Sequence, residues 1–405
     1  MSTQEQTLFT HVRLVTPERL LEERAVLVRG NRIAGVYPSA GVPAVDARVI
    51  DGRNRYLAPG FIDMHCHGGG GHDFMDATPE AFIGAAETHA RYGTATLLPT
   101  TLAGDDEDLK KTFEAFRQVK KIRHRGANMP GMHLEGPYFS AEYKGAQDEK
   151  YLRNPEPTDY RRIAAWADGA ILRWSAAPEL PGAGEFGAFL REEGIVPSIA
   201  HTSATYDDVL EAYENGYHLI THLYSGMSTI TRDKGFRVPG VVESAYLIDG
   251  MRAELIADGC HLPAALLRLA YKGKGAENLV LVTDAMRGAG MPEGESLLGS
   301  LRHGQQVFVE NGVAYMPDRS CFAGSVCTAD RLVRTMVQQA GVPLCEAVRM
   351  ITATPAAVMG WSRKGTIAAG MDADLVLFDE KIHVSLTMTE GRVIYQEDET
   401  KENRA

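Results

Sequence analysis

Between residues 58 and 362 a short apolar run followed by a helical segment recurs eight times. The runs are LAPGFIDMH near 57–65, TATLLPTT near 94–101, MPGMHLEG near 129–136 and AILRWSAAPE near 170–179. The second half supplies GIVPSIAH near 194–201, YHLITHLY near 217–224, MRAELIADG near 251–259 and NLVLVTD near 278–284. Segments such as PEAFIGAAETHARY and YDDVLEAYENG lie between them. Strand–helix alternation of this length predicts an α/β fold, a parallel (β/α)₈ TIM barrel.

The flanks differ. Residues 1–57 read as short strands, LFTHVRLV and ERAVLVRGNRIAGVY, with a hairpin turn at Gly30-Asn31. Residues 363–405 return to strands in KGTIAAGMDADLVLFD and HVSLTMTEGRVIY, turning at Glu390-Gly391. We therefore expect a composite β domain closed by both termini (1–57 and 363–405) beside a barrel domain of 58–362. Residues 285–320 read as an insertion in which GQQVFVENGVAYM forms a hairpin.

At 405 residues and 44% hydrophobic content a large core is available, while a net charge of −11 argues against nucleic acid as a partner. An anionic substrate would need local basic residues. The N-terminus lacks a secretory pattern, and no apolar stretch approaches the roughly 20 residues of a membrane helix. Five scattered cysteines with no CxxC pair point to free thiols and a cytoplasmic protein with no membrane partner.

Ionisable residues sit at the carboxyl ends of the expected strands, where barrel active sites lie. His65 and His67 form an H-x-H pair on one face of the first strand, with Cys66 on the other. Glu135 ends the third, His201 the fifth, His222 the sixth and Asp284 the eighth. A lone strand-end histidine is more often a structural hydrogen-bonding residue. Six such residues on five strand ends are hard to assign independent structural roles. Their imidazole and carboxylate mixture suits Zn²⁺, Fe²⁺, Mn²⁺ or Co²⁺. His133 lies deeper and reads as a core hydrogen-bonding residue. His72 and His218 read as loop and barrel-packing residues, and His89, His124, His303 and His383 as surface or helix positions.

PGFIDMHCHGGGGHDFMDAT, HLEGP, KGAQ, AHTSAT, THLYSGM, ADGCH, LVTDAM and FAGS follow one another in an order and spacing that resembles the N-acetylglucosamine-6-phosphate deacetylases. The tail RKGTIAAGMDADLVLFD resembles the closing segment of the wider amidohydrolase superfamily. The resemblance covers nearly the whole chain. It implies a metal-dependent barrel with a small β-sandwich formed by both termini. It also implies hydrolysis of the acetamide on a 6-phosphorylated amino sugar.

By that resemblance Glu135, His201 and His222 are metal ligands, and His65, His67 and Asp284 make a second ion possible. One or two ions per subunit are therefore expected, with Asp284 as the catalytic proton carrier. The fourth strand lacks the bridging lysine of related cyclic amidohydrolases, and Glu135 is placed for that role. His261 corresponds to a histidine contacting sugar or phosphate. Ala146 and Gln147 fall where the family has a small residue and often a histidine that polarises the acetyl carbonyl. Gln147 departs from that pattern, as do Ser225 and Gly226 in the sugar-binding loop. Phe322, Ala323 and Gly324 match a loop that closes over substrate. Arg237, or alternatively Arg232, corresponds to a phosphate-binding arginine sometimes supplied by a neighbouring subunit, which implies a homodimer. The departures leave open a galactosamine epimer or a non-phosphorylated acetamide as substrate. A catalytically inactive scaffold ranks lower, since all six ligand positions are filled.

Overall fold

A computed structural model describes residues 6–398. All eight expected runs contain strands: Phe61–Cys66, Thr94–Pro99, Met132–Glu135, Ile171–Ala176, Val196–Ile199, Leu219–Ile220, Arg252–Leu255 and Leu279–Leu281. The last six pair in chain order as one parallel sheet, and the first two pair in parallel with each other. Isolated parallel bridges, Thr100 to His133 and Cys66 to Ala285, join the two sets at both seams.

A helix follows each strand, from Pro79–Ala90 after the first to Ala329–Gln338 after the eighth. Several begin where a side chain can satisfy the free N–H groups of a first turn. Thr78 accepts from the Ala81 N–H, Asp105 from those of Glu107 and Asp108, and Thr205 forms a reciprocal box with Asp208. Their apolar faces, with Phe82, Phe113, Phe186, Leu267 and Leu332, pack against strand residues such as Trp174 and Leu255 in one large core. A smaller cluster of Met64, Leu98, Leu219, Val280 and Val282 is packed against Trp361.

The two chain ends share an eight-stranded sheet. Tyr56–Pro59 is the seam: it runs parallel to Gln6–Val15 and antiparallel to Leu375–Phe378. The predicted turns at Gly30-Asn31 and Glu390-Gly391 both form, the latter with φ of 47° and 75°. The run LAPGFIDMH is thus two elements, and Gly60 divides them. Its N–H donates to the Asp374 carbonyl at 2.8 Å, and a Cβ there would lie 2.4 Å from that of Ala95. The described strands of the termini form one hydrogen-bonded sheet with its own core of Phe9, Val26, Ile33, Leu57, Leu377 and Met388. The ends of the expected β domain, residues 1–5 and 399–405, lie outside the described residues.

The expected hairpin in the insertion is Gln305–Glu310 with Val313–Tyr315. Gly294–Leu298 and Phe322–Ser325 extend it to a four-stranded antiparallel sheet, so FAGS is a strand and not a loop. All five cysteines are unpaired. Among the described residues no helix is long and apolar enough to cross a membrane.

Candidate active site

Parallel strands deliver their carboxyl ends to one side of the sheet, and there the six residues meet. His65 lies within the first strand and His67 just beyond it; Glu135 closes its strand. His201, His222 and Asp284 follow theirs in left-handed backbone conformations, φ 46°, 31° and 47°. Residues other than glycine adopt that region at a cost and concentrate there at functional sites.

The donor atoms form two buried groups, Glu135 with His201 and His222, and His65 with His67 and Asp284. In the first, Glu135 Oε1 is 3.2 Å from His222 Nε2 and 3.5 Å from His201 Nε2. In the second, His67 Nε2 is 3.1 Å from Asp284 Oδ1 and 3.3 Å from His65 Nε2. Glu135 joins the groups, with Oε1 and Oε2 each 3.4 Å from His65 and His67 respectively. Ligands held about 2.0–2.1 Å from a tetrahedral ion are separated by about 3.3 Å, so these spacings fit a divalent cation. The chemistry agrees: nitrogen and carboxylate donors with no thiolate suit borderline divalent metals.

Charge makes the same demand. Burial disfavours the ionised forms of Glu135, Asp284, His65 and His67, yet His65 opposes it by holding Glu135 well below the usual carboxylate range. His65 and His67 together bring Asp284 down to about 2. In return, despite burial, Asp284 and Glu135 push His65 up to about 10. The cluster is built to take up positive charge.

Deeper partners fix the rings. His65 Nδ1 stands 3.3 Å from Glu254, whose other oxygen is ion-paired with Arg173. Arg173 also donates to Thr221 Oγ1 at 2.8 Å and Ser198 Oγ at 3.1 Å. His201 Nδ1 meets the Tyr143 carbonyl at 2.9 Å. Such contacts set which ring nitrogen faces a metal. His133 stacks edge-on against His65 with its Nε2 2.6 Å from Ser175 Oγ. Burial and Arg173 hold it well below the ordinary imidazole range, so it stays neutral. Above the donors opens a cavity of about 480 Å³.

The amidohydrolase family's sequence model matches residues 56–396. The chain belongs to the amidohydrolase family. Relatives of this amidohydrolase include N-acetylglucosamine-6-phosphate deacetylase of Lysinibacillus sphaericus, 34% identical over 93% of this chain and 94% of that one. N-acetylgalactosamine-6-phosphate deacetylase of Escherichia coli O157:H7 is 31% identical over 95% and 99%. Among solved structures, an aspartate-to-alanine variant of the Mycobacterium smegmatis N-acetyl-D-glucosamine-6-phosphate deacetylase, in complex with N-acetyl-D-glucosamine-6-phosphate, superimposes with a TM-score of 0.87. It is 31% identical, over 97% of this chain and 100% of that one.

In this amidohydrolase Ala146, Gln147, Ser225, Gly226, His261, Phe322 and Gly324 line the cavity. His261 is held by Asp258 at 2.8 Å and packs against the Phe322 ring. Gln147 is occupied: it donates to Glu135 Oε2 at 2.8 Å and accepts from the Ala103 N–H at 2.9 Å. It braces Glu135, with one amide N–H and the carbonyl oxygen engaged in these contacts. Ala323 is absent from the lining; strand alternation turns it into the core beside Met286 and Val307. Arg232 and Arg237 face each other across an exposed hairpin, Thr231–Asp233 with Phe236–Val238, outside the cavity wall.

Other side chains lay outside the sequence reading. Tyr315, Arg319, Ser320 and Cys321 line the cavity mouth. Glu254 and Arg173 were signalled only by charges in the middle of apolar strand runs. His89, read as a surface or helix position, lies in the helix Pro79–Ala90 and is buried, with Nε2 2.8 Å from the Gly68 carbonyl and 3.2 Å from Cys66 Sγ. His218, expected in barrel packing, is exposed against the Tyr213 carbonyl.

Proposed function

We propose that this amidohydrolase cleaves the acetamide of N-acetylglucosamine-6-phosphate, releasing acetate and glucosamine-6-phosphate. The observation that carries the reading is that one cavity contains both a carboxylate-bridged imidazole cluster and an aspartate facing it. Relatives named for this activity along nearly the whole chain support it.

Glu135, His201 and His222 would hold one divalent ion (zinc, iron, manganese or cobalt), and His65, His67 and Asp284 would hold a second. When bound, such an ion would polarise the amide carbonyl and make a water nucleophilic at neutral pH. Asp284, ionised beside His67, accepts the proton of the attacking water and returns it to the amine nitrogen as the C–N bond breaks. Phe322 and His261 orient the sugar. Glu135, His65 and His67 are all buried beneath the reacting end.

We also read the eight strands and their two bridged seams as a closed (β/α)₈ barrel of residues 58–362. The termini form the companion β domain, read as a sandwich because the sheet carries its own core. Arg237 and the 77% exposed Phe236 project on a hairpin outside their own cavity. That placement supports a homodimer in which Arg237 completes a neighbouring site. Five unpaired cysteines support a cytoplasmic setting. The galactosamine epimer is the second reading, favoured by the 31% identical relative with that substrate in its name and by Ser225 and Gly226 in the sugar loop.

The test is acetate release from 6-phosphorylated and plain N-acetylhexosamines by protein of measured metal content. Turnover of the phosphorylated gluco epimer is expected to be fastest. No acetate from any of them, with metal bound, overturns the reading.

A further inference from the structure

We propose that Arg319, in the wall of the chain's own cavity, contacts the substrate phosphate and sets the preference for phosphorylated sugars. The proposal rests on the reading of the substrate as a hexosamine 6-phosphate. A phosphate dianion on a chain of net charge −11 needs a local cation. Among the described residues lining the cavity, Arg319 is the one lysine or arginine. Arg237 donates to its own hairpin at the Gly235 carbonyl and lies outside that lining, so it could serve only a neighbouring subunit's site, and within one chain Arg319 is the cation at hand.

Arg319 sits in the turn between the strands Val313–Tyr315 and Phe322–Ser325, and the turn is firmly built. Its N–H donates to the Met316 carbonyl at 2.9 Å, and the Met316 N–H donates to the Cys321 carbonyl at 3.1 Å. Asp318 accepts from the Ser320 N–H at 3.0 Å and from its hydroxyl at 2.6 Å. The φ of Arg319 is 57°, a conformation that glycine or asparagine adopts more readily. The turn alone therefore gives no reason for an arginine; the side chain does.

The guanidinium lies 4.9 Å over the Tyr315 ring, and one nitrogen is 2.6 Å from Glu310. Both members of that ion pair are about half exposed, which makes it weak and easily exchanged. A phosphate offers the same planar fork two charge-assisted bonds. Glu310 thus holds the arginine ready at the mouth and yields it to a better acceptor.

The experiment compares kcat and KM for N-acetylglucosamine-6-phosphate and plain N-acetylglucosamine in wild type, Arg319→Ala, Arg319→Asn and Arg237→Ala. Asparagine suits the turn, so Arg319→Asn separates loss of the cation from loss of the fold. Both Arg319 variants should raise the KM for the phosphorylated sugar about tenfold relative to that for the plain sugar, with kcat changed much less. An unchanged KM ratio, or preference lost only with Arg237, overturns the proposal. A wild-type enzyme with no preference for the phosphorylated sugar overturns instead the reading of the substrate on which it rests.

Discussion

Glu254 stands 3.3 Å from Nδ1 of His65 while its other carboxylate oxygen is ion-paired with Arg173, and none of the three side chains reaches solvent. The pair connects the middle of two strands to the orientation of one metal-facing ring. Glu254→Gln keeps the shape but weakens the acceptor, and should lower metal affinity about 10- to 100-fold by chelator competition. Glu254→Ala leaves Arg173 buried and unpaired, and should cost about 3–5 kcal/mol of stability in denaturant titration. Wild-type affinity and stability in both would show that the contact is incidental.

Asp284→Asn retains size and loses the base. Turnover should fall by roughly 10²–10⁴, with the ion at Glu135, His201 and His222 still measurable by elemental analysis. Near wild-type turnover in the metal-loaded variant removes Asp284 from the mechanism.

Gln147→Ala strips Glu135 Oε2 of its donor and leaves the buried Ala103 N–H without its acceptor. A loss of about 1–3 kcal/mol is expected, together with weaker metal binding. If only the KM for the acetylated substrate moves, Gln147 acts on the carbonyl, as the resemblance implied.

Protons and metal compete for the same nitrogens. His65 rises from 6.5 to about 10 in the metal-free fold, so its protonation stabilises that fold fully below pH 6.5 and ceases to as pH climbs through about 10. Asp284 runs the other way: its ionisation stabilises the fold above pH 3.8 and is lost as pH falls toward about 2. Between pH 6.5 and 10, metal uptake should release at least one proton, and affinity should rise with pH. Calorimetry in two buffers of different ionisation enthalpy measures this; proton-neutral binding at pH 8 contradicts it.

Arg237→Ala and Asp284→Asn can be mixed. If Arg237 serves a neighbour, random exchange of subunits restores one intact site in half of the dimers, about a quarter of wild-type activity. Activity no greater than the sum of the two variants argues against a shared site.

The convergence of the six candidate donors was legible because they lie at or just beyond strand ends, and parallel strand ends converge by geometry alone. Supporting contacts were not. Glu254 and Arg173 come from strands far apart in sequence, and only the folded sheet shows that each neutralises the other. Ala323 was misplaced because FAGS was read as a loop; strand alternation turns it away while Phe322 and Gly324 keep the cavity. Gln147 was placed at the cavity, but its contact with Glu135 was not foreseen, since it depends on a loop without periodicity. Arg319 resembled any exposed arginine until its turn was seen to open on the cavity. His89 occupies the helix face that meets Cys66, a choice of face that a lone histidine does not reveal.

The strand Tyr56–Pro59 lies between Gln6–Val15 and Leu375–Phe378, and the Gly60 N–H is satisfied by Asp374. During synthesis that edge must wait for more than 300 further residues before its partner emerges. The first strands therefore leave the ribosome with an apolar face and an open hydrogen-bonding edge, the hazard that such edges carry for stray pairing. Completion of the final strands is what seals the beginning of the chain.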